Sequence, residues 1–153
     1  MSEQENIQLT QQIFTAFQEG DVPFLLNILA EDVEWYVAGA REHIPLAGTY
    51  HGRKQVAQVF QTVGKFLQLQ QFQPQEFVAQ GDRVVVFGHA LGCIQPTNHT
   101  VEYDWVHLYT LYDGKLKKFS EYLDTAAIAA AFRSAKTASA TKLDLEYEEP
   151  AVQ

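Results

Sequence analysis

The chain has 153 residues, 46% of them hydrophobic, including 10 Phe, 7 Tyr and 2 Trp. That is enough to close one apolar core, which excludes a disordered chain and removes any need for a disulfide or metal to hold the fold. The net charge of −8, from 11 Lys and Arg against 19 Asp and Glu, repels phosphate backbones and anionic lipid, so nucleic acids and membrane surfaces are not expected partners.

The elements follow in chain order. Ser2 with Glu5 is a capping box; Ile7, Ile13, Phe14 and Phe17 follow at helical spacing, and Gly20 ends the helix. Asp21 caps a second, short helix with Pro23 in its first turn. A strand is expected over 33–37, with Val33, Trp35 and Val37 on one face. Gly39, Pro45, Gly48 and Gly52 mark 39–52 as a loop. A third helix, about 54–67, turns Val56, Val59, Phe60, Val63 and Phe66 inward. The period then changes to two. An edge strand interrupted by Pro74 spans 72–80, and strands follow at 83–94, 100–112 and 116–123. The last two are joined at Asp113-Gly114, a strong hairpin signal. An alanine-rich helix runs from Thr125 to about Lys136, with Ile128 and Phe132 on its apolar face. This order predicts an α+β fold with the helices gathered on one face of a bent antiparallel sheet. Gly88, Ala90 and Gly92 alternate along one strand face, which permits bending or the close approach of another group.

The hairpin concentrates the chemistry. A clean two-residue turn at Asp113-Gly114 pairs Tyr112 with Lys115, and strict alternation then places Tyr103 opposite Asp124, Trp105 opposite Tyr122, His107 opposite Ser120 and Tyr109 opposite Lys118. These eight residues share one face. Large ring walls with a few polar groups describe a small-molecule pocket rather than a plain core. A carboxylate among them would be desolvated, which suits a general acid or base. His107 and Asp124 lie about 13 Å apart along the strands, too far to bond directly but able to bracket a ligand.

The segments Phe14–Asp21, Asp32–Trp35, Ala47–Gly52, Trp105–Tyr109, Asp113–Leu116 and Glu121–Thr125 together resemble the nuclear transport factor 2-like superfamily, and within it the SnoaL-like, ketosteroid-isomerase-related proteins. The resemblance covers about residues 5–133. It implies a cystatin-like cone: a curved antiparallel sheet wrapped around N-terminal helices over a deep pocket. It also implies a homodimer through the outer sheet face. The domain is expected over 1–137, with an acidic tail over 138–153. By resemblance to SnoaL-like cyclases, Asp124 is the pocket acid/base, and His107 resembles an oxyanion-stabilising position of the isomerases, with an imidazole where they keep a neutral carboxylic acid. In the expected reaction His107 and Tyr103 are the polarising donors. Trp35, Trp105, Tyr122, Tyr109, Tyr50 and Phe17 are the expected substrate walls. No match is found to the Asp-Arg-Asp set of the limonene epoxide hydrolases.

Plainer roles stand beside these. Asp124 directly precedes a helix, so it serves equally as an N-cap, unless Thr125 takes that role. His107 is equally a satisfied interior histidine. No spacing among His43, His51, His89 and His99 suggests a metal site, and no cofactor is expected. Cys93, the only cysteine, is expected to be buried and inert. The absence of an apolar run near about 18 residues and of an export signal in Met1–Glu5 points to a cytoplasmic protein. Val106 and Leu108 make the opposite sheet face apolar too, so a partner subunit is expected there. The expected activity is cofactor-independent proton transfer (isomerisation, cyclisation or dehydration) on a small apolar carbonyl or hydroxyl compound. The alternatives are a hydrophobic-ligand carrier and a dimeric scaffold.

Overall fold

The computed structural model describes residues 2–95 and 97–133. Its elements are α1 (Glu3–Glu19), α2 (Val22–Ile28), β1 (Leu29–Val37), β2 (Gly48–His51), α3 (Gly52–Phe66), β3 (Leu67–Gln80), β4 (Arg83–Ile94), β5 (His99–Tyr112), β6 (Lys115–Leu123) and α4 (Thr125–Arg133). The acidic tail and the expected end of the last helix lie outside the described residues. No described helix is long and apolar enough to cross a membrane.

The N-terminal helices form as their caps dictate. Ser2 Oγ accepts from the Glu5 N–H at 3.0 Å and Glu5 Oε1 accepts from the Ser2 N–H at 2.8 Å. Gly20 closes α1 in the left-handed conformation, φ 71°. Asp21 Oδ1 then accepts from the Phe24 N–H and starts α2. Three bonds pin α1 across the sheet: Glu3 accepts from the Gly81 N–H at 2.8 Å, the Asn6 amide donates to the Gly81 carbonyl at 3.3 Å, and the Gln18 amide donates to the Phe72 carbonyl at 3.0 Å. The apolar stripe of α1, with Ile13 and Phe14 buried, is thereby held against the concave face.

The sheet is six-stranded, curved and unclosed, in the order β2-β1-β6-β5-β4-β3. Two features depart from the sequence expectation. Residues 48–51, expected within a loop, form β2 and pair antiparallel with β1. Further, β1 runs parallel to β6, with Trp35 opposite Phe119. Strand β3 lies at the edge as Pro74 requires, and its register shifts between Pro74 and Glu76. The small residues of β4 admit a close neighbour: Gly88 faces Trp105, and a Cβ there would collide with the indole.

The decisive departure is in the hairpin. Asp113 and Gly114 both have positive φ, 52° and 76°, as a type I′ turn needs, and Tyr112 does pair with Lys115. The register then slips. Leu111 pairs with Leu116, but Thr110 pairs with Lys118, leaving Lys117 as an extra residue. From there Tyr109 faces Phe119, His107 faces Glu121 and Trp105 faces Leu123. A one-residue slip exchanges the faces of a strand, so the expected partners Ser120, Tyr122 and Asp124 leave the inner face and Phe119, Glu121 and Leu123 replace them. The cause is local. Leu116 and Phe119 are both buried, yet an odd spacing of three would put one of them outside in a regular strand. The bulge brings both inward and leaves Lys117 and Lys118 to bond Asp32 and Glu34 at the surface.

Candidate functional site

A cavity of about 150 Å³ lies between the concave face and the helices. Phe14 and Phe17 of α1, Phe60 and Phe66 of α3, Phe72 of β3 and Trp35 of β1 supply rings to its wall, with Leu25, Ile28 and Ile128 among the aliphatic lining. Its polar side chains are Tyr103, His107, Tyr109 and Glu121, all from the β5–β6 ladder.

These four divide into a linked set and a separate hydroxyl. His107 Nε2 lies 2.9 Å from Glu121 Oε2, and His107 Nδ1 lies 3.0 Å from the Tyr109 hydroxyl. An ionised Glu121 only accepts, so Nε2 carries the hydrogen and Nδ1 takes the Tyr109 O–H. Both imidazole nitrogens are thereby occupied. The imidazole also belongs to an aromatic cluster: Phe14 lies nearly parallel to it at 5.7 Å and 7°, the Trp105 ring sits at 4.3 Å, and Phe14 and Trp105 touch each other at 5.6 Å. Glu121 is 22% exposed, and its second carboxylate oxygen has no partner among the described residues. Tyr103 is 5% exposed, and no hydrogen bond to its hydroxyl is formed among the described residues. Burial, reinforced by the charge of Glu121, pushes the Tyr103 and Tyr109 phenols above the ordinary tyrosine range, so both stay protonated at neutral pH.

The residues expected from sequence separate as follows. Tyr103, His107, Tyr109, Trp35 and Phe17 line the cavity, Phe17 at its mouth with 37% exposure. Trp105 is fully buried behind it, stacked on Phe72 at 4.6 Å and 9°. Tyr50 is turned away: its hydroxyl donates to the Leu46 carbonyl and its ring lies beneath the Arg41 guanidinium. Tyr122 stands on the outer face, 47% exposed, beside Tyr36. Asp124 is exposed and caps α4, accepting from the Ala127 N–H at 3.1 Å. The expectation that Asp124 and Tyr122 face the pocket is corrected by the register. Glu121 and Phe119 were missed; the signal for them was the run Leu116-Lys117-Lys118-Phe119, whose apolar ends are spaced for a bulge.

The described residues contain no group of three His, Cys, Asp or Glu side chains arranged for a metal ion. The nearest approach is His89 on the outer face, whose nitrogens lie 2.7 Å from Asp104 and from Glu102.

The curved sheet folded over helices is a fold shared with a large group of solved structures. The SnoaL-like domain family matches residues 10–119. An NTF2-like protein from Burkholderia xenovorans LB400 is 42% identical, with a TM-score of 0.79 over 86% of this chain and 98% of that one. An NTF2-like protein of unknown function from Burkholderia pseudomallei K96243 is 27% identical, with a TM-score of 0.77 over 86% and 98%. TerC, co-crystallised with polyporic acid, is 30% identical, with a TM-score of 0.75 over 84% and 98%. No curated protein matches significantly. The chain belongs to the SnoaL-like family of the NTF2-like superfamily.

Proposed function

We propose that the protein is a cofactor-independent proton-transfer enzyme of isomerase, cyclase or dehydratase type, acting on a small apolar carbonyl or hydroxyl compound. The observation that carries this reading is a single carboxylate, Glu121, held by His107 at the wall of an otherwise apolar cavity that also presents an unpartnered phenol, Tyr103. Glu121 is the general base. Its oxygen on His107 is fixed, and the other is left for a substrate proton. Tyr103 donates to the substrate oxygen as negative charge develops there, since a donor with no prior partner loses nothing by turning to it. Tyr103 lies four residues from His107 along β5, about 13 Å between backbones, and its side chain and that of Glu121 reach into the same cavity, where the charge of Glu121 acts on the phenol. His107 and Tyr109 position Glu121 rather than touch substrate. Burial around the rings excludes water, which strengthens each of these interactions. The polyporic acid of the TerC crystals supports a small organic occupant for this fold.

Hydrogen exchange tests it. Small cyclic ketones and enones incubated with the protein in deuterated water should gain deuterium at the carbon beside the carbonyl, followed by NMR, and Glu121→Gln should abolish the gain. Ligands that bind without any exchange would overturn the reaction.

A second reading, a non-catalytic carrier of hydrophobic molecules, is favoured by one observation. Asp124, the residue that the family resemblance pairs with acid/base chemistry, is spent on capping α4. Under that reading the same ligands bind, with no dependence on the ionisation of Glu121.

The outer sheet face supports the homodimer. Val78, Val85 and Leu108 form one cross-strand row there, and Phe87, Val106 and Tyr122 a second. Phe87, Val78 and Tyr122 are each more than two-fifths exposed, and a second copy of the chain would cover them. The lone Cys93, half-buried, accords with a reducing cytoplasm.

A further inference from the structure

We infer that the cavity takes a neutral molecule of one six-membered ring carrying a single hydroxyl or carbonyl oxygen, and that it discriminates against the same ring bearing a carboxylate. This rests on the assignment of Glu121 and Tyr103 above but concerns binding, so it is tested without turnover.

Three observations carry it. The first is size. A space of about 150 Å³ matches the apolar cavities that accept one benzene ring, whereas pockets for drug-sized ligands run to about 300–1,000 Å³. The second is the lining. Phe14, Phe60, Phe66, Phe72 and Trp35 set aromatic rings around the space, an apolar surround suited to a ring as guest. The third is charge. Glu121 is the one Asp or Glu among the lining residues, and they include no Lys or Arg. Apart from the His107 imidazole, whose nitrogens already face Glu121 and Tyr109, nothing there offsets an incoming anion, and Glu121 repels it in a medium that screens poorly. The Tyr103 hydroxyl, on a side chain only 5% exposed and without a partner among the described residues, offers a donor to an uncharged oxygen. It distinguishes the site from a cage for ammonium ions, which would have no use for that donor.

Five probes of related shape decide the matter by titration calorimetry, first on the unmodified protein: benzyl alcohol, benzoate, benzylammonium, 2-naphthylmethanol and toluene. Benzyl alcohol should bind at least ~10-fold more tightly than benzoate, a margin of about 1.4 kcal/mol. It should also bind more tightly than benzylammonium and the two-ring alcohol. Glu121→Gln should bring benzoate to within ~3-fold of benzyl alcohol. Tyr103→Phe should weaken benzyl alcohol by ~3–10-fold, the range of one neutral hydrogen bond, and leave toluene unchanged. No measurable benzyl alcohol binding, benzoate bound as well as the alcohol, tighter benzylammonium or a tighter two-ring guest would each overturn the ligand class. The wild-type comparisons need no variant to fold. Neutral-over-anion selectivity without deuterium exchange would leave this inference standing and remove the reaction alone.

Discussion

His107 and Glu121 sit directly opposite each other across the β5–β6 ladder, with Nε2 2.9 Å from Oε2. Their pairing exists because Lys117 is an extra residue in β6. Without it, the same ladder would turn Glu121 outward and bring Ser120 and Tyr122 in.

The first prediction separates Glu121 from Asp124. Glu121→Gln should lower proton-transfer turnover by ~10²–10⁴-fold, the usual contribution of a positioned base. Asp124→Asn should leave turnover unchanged, since Asn caps a helix as well as Asp does, while Asp124→Ala should lose about 0.5–2 kcal/mol of stability through α4. Kinetics and urea unfolding on the same three variants check both halves. A turnover defect in Asp124→Asn would return the acid/base role to that residue.

The second concerns the support behind Glu121. His107→Phe keeps a ring against Phe14 and Trp105 but leaves the Tyr109 hydroxyl and a Glu121 oxygen without their partner. The expected loss is about 1–3 kcal/mol for stranded buried polar groups, read as a lower denaturation midpoint. Unchanged stability would mean that water replaces the imidazole bonds at no cost.

The third tests the bend of β4. Gly88→Ala places a methyl group where the Trp105 indole lies, and the indole has Phe72 stacked on its ring. An overpacked core of this kind loses about 1–3 kcal/mol. The variant should also disturb the cavity wall, because Trp105 backs His107. A Gly64→Ala change on α3, with open space around it, is the control and should be neutral or stabilising.

The fourth is a pH dependence on the outer face. Hydrogen bonds from His89 to Asp104 first, and then to Glu102, hold its imidazolium pKa above the ordinary value of 6.5. A raised folded-state pKa means that the protonated clamp stabilises the fold fully below the unfolded pKa. That contribution disappears as pH rises through the folded-state pKa. Thermal midpoints measured upward from pH 6 should therefore decline for the native protein and decline less for His89→Gln. Parallel curves would show that the clamp does not contribute.

Much of the architecture was legible from local signals. The capping box at Ser2 and Glu5, the left-handed Gly20 and the Asp21 cap each fix a helix boundary through neighbours within a few residues. Pro74 forecast an edge, and the small residues of β4 forecast a close neighbour, found as Trp105. Strand β2 was hidden because four residues that begin at Gly48 and are followed by Gly52 carry a loop's composition, and only pairing with β1 makes them a strand. The parallel contact of β1 with β6 was equally hidden, since about 80 residues separate the two and no local pattern records it.

By itself the sequence determined the helices, most of the strands, the type I′ turn and the inward face of β5, on which Tyr103, His107 and Tyr109 were correctly placed. Those features answer to forces that act within a turn or an alternating strand. The identity of the carboxylate on that face was decided by tertiary structure alone. Burying both Leu116 and Phe119 outweighed regular pairing, and the resulting one-residue slip turned Glu121 toward the cavity and left Asp124 to cap a helix.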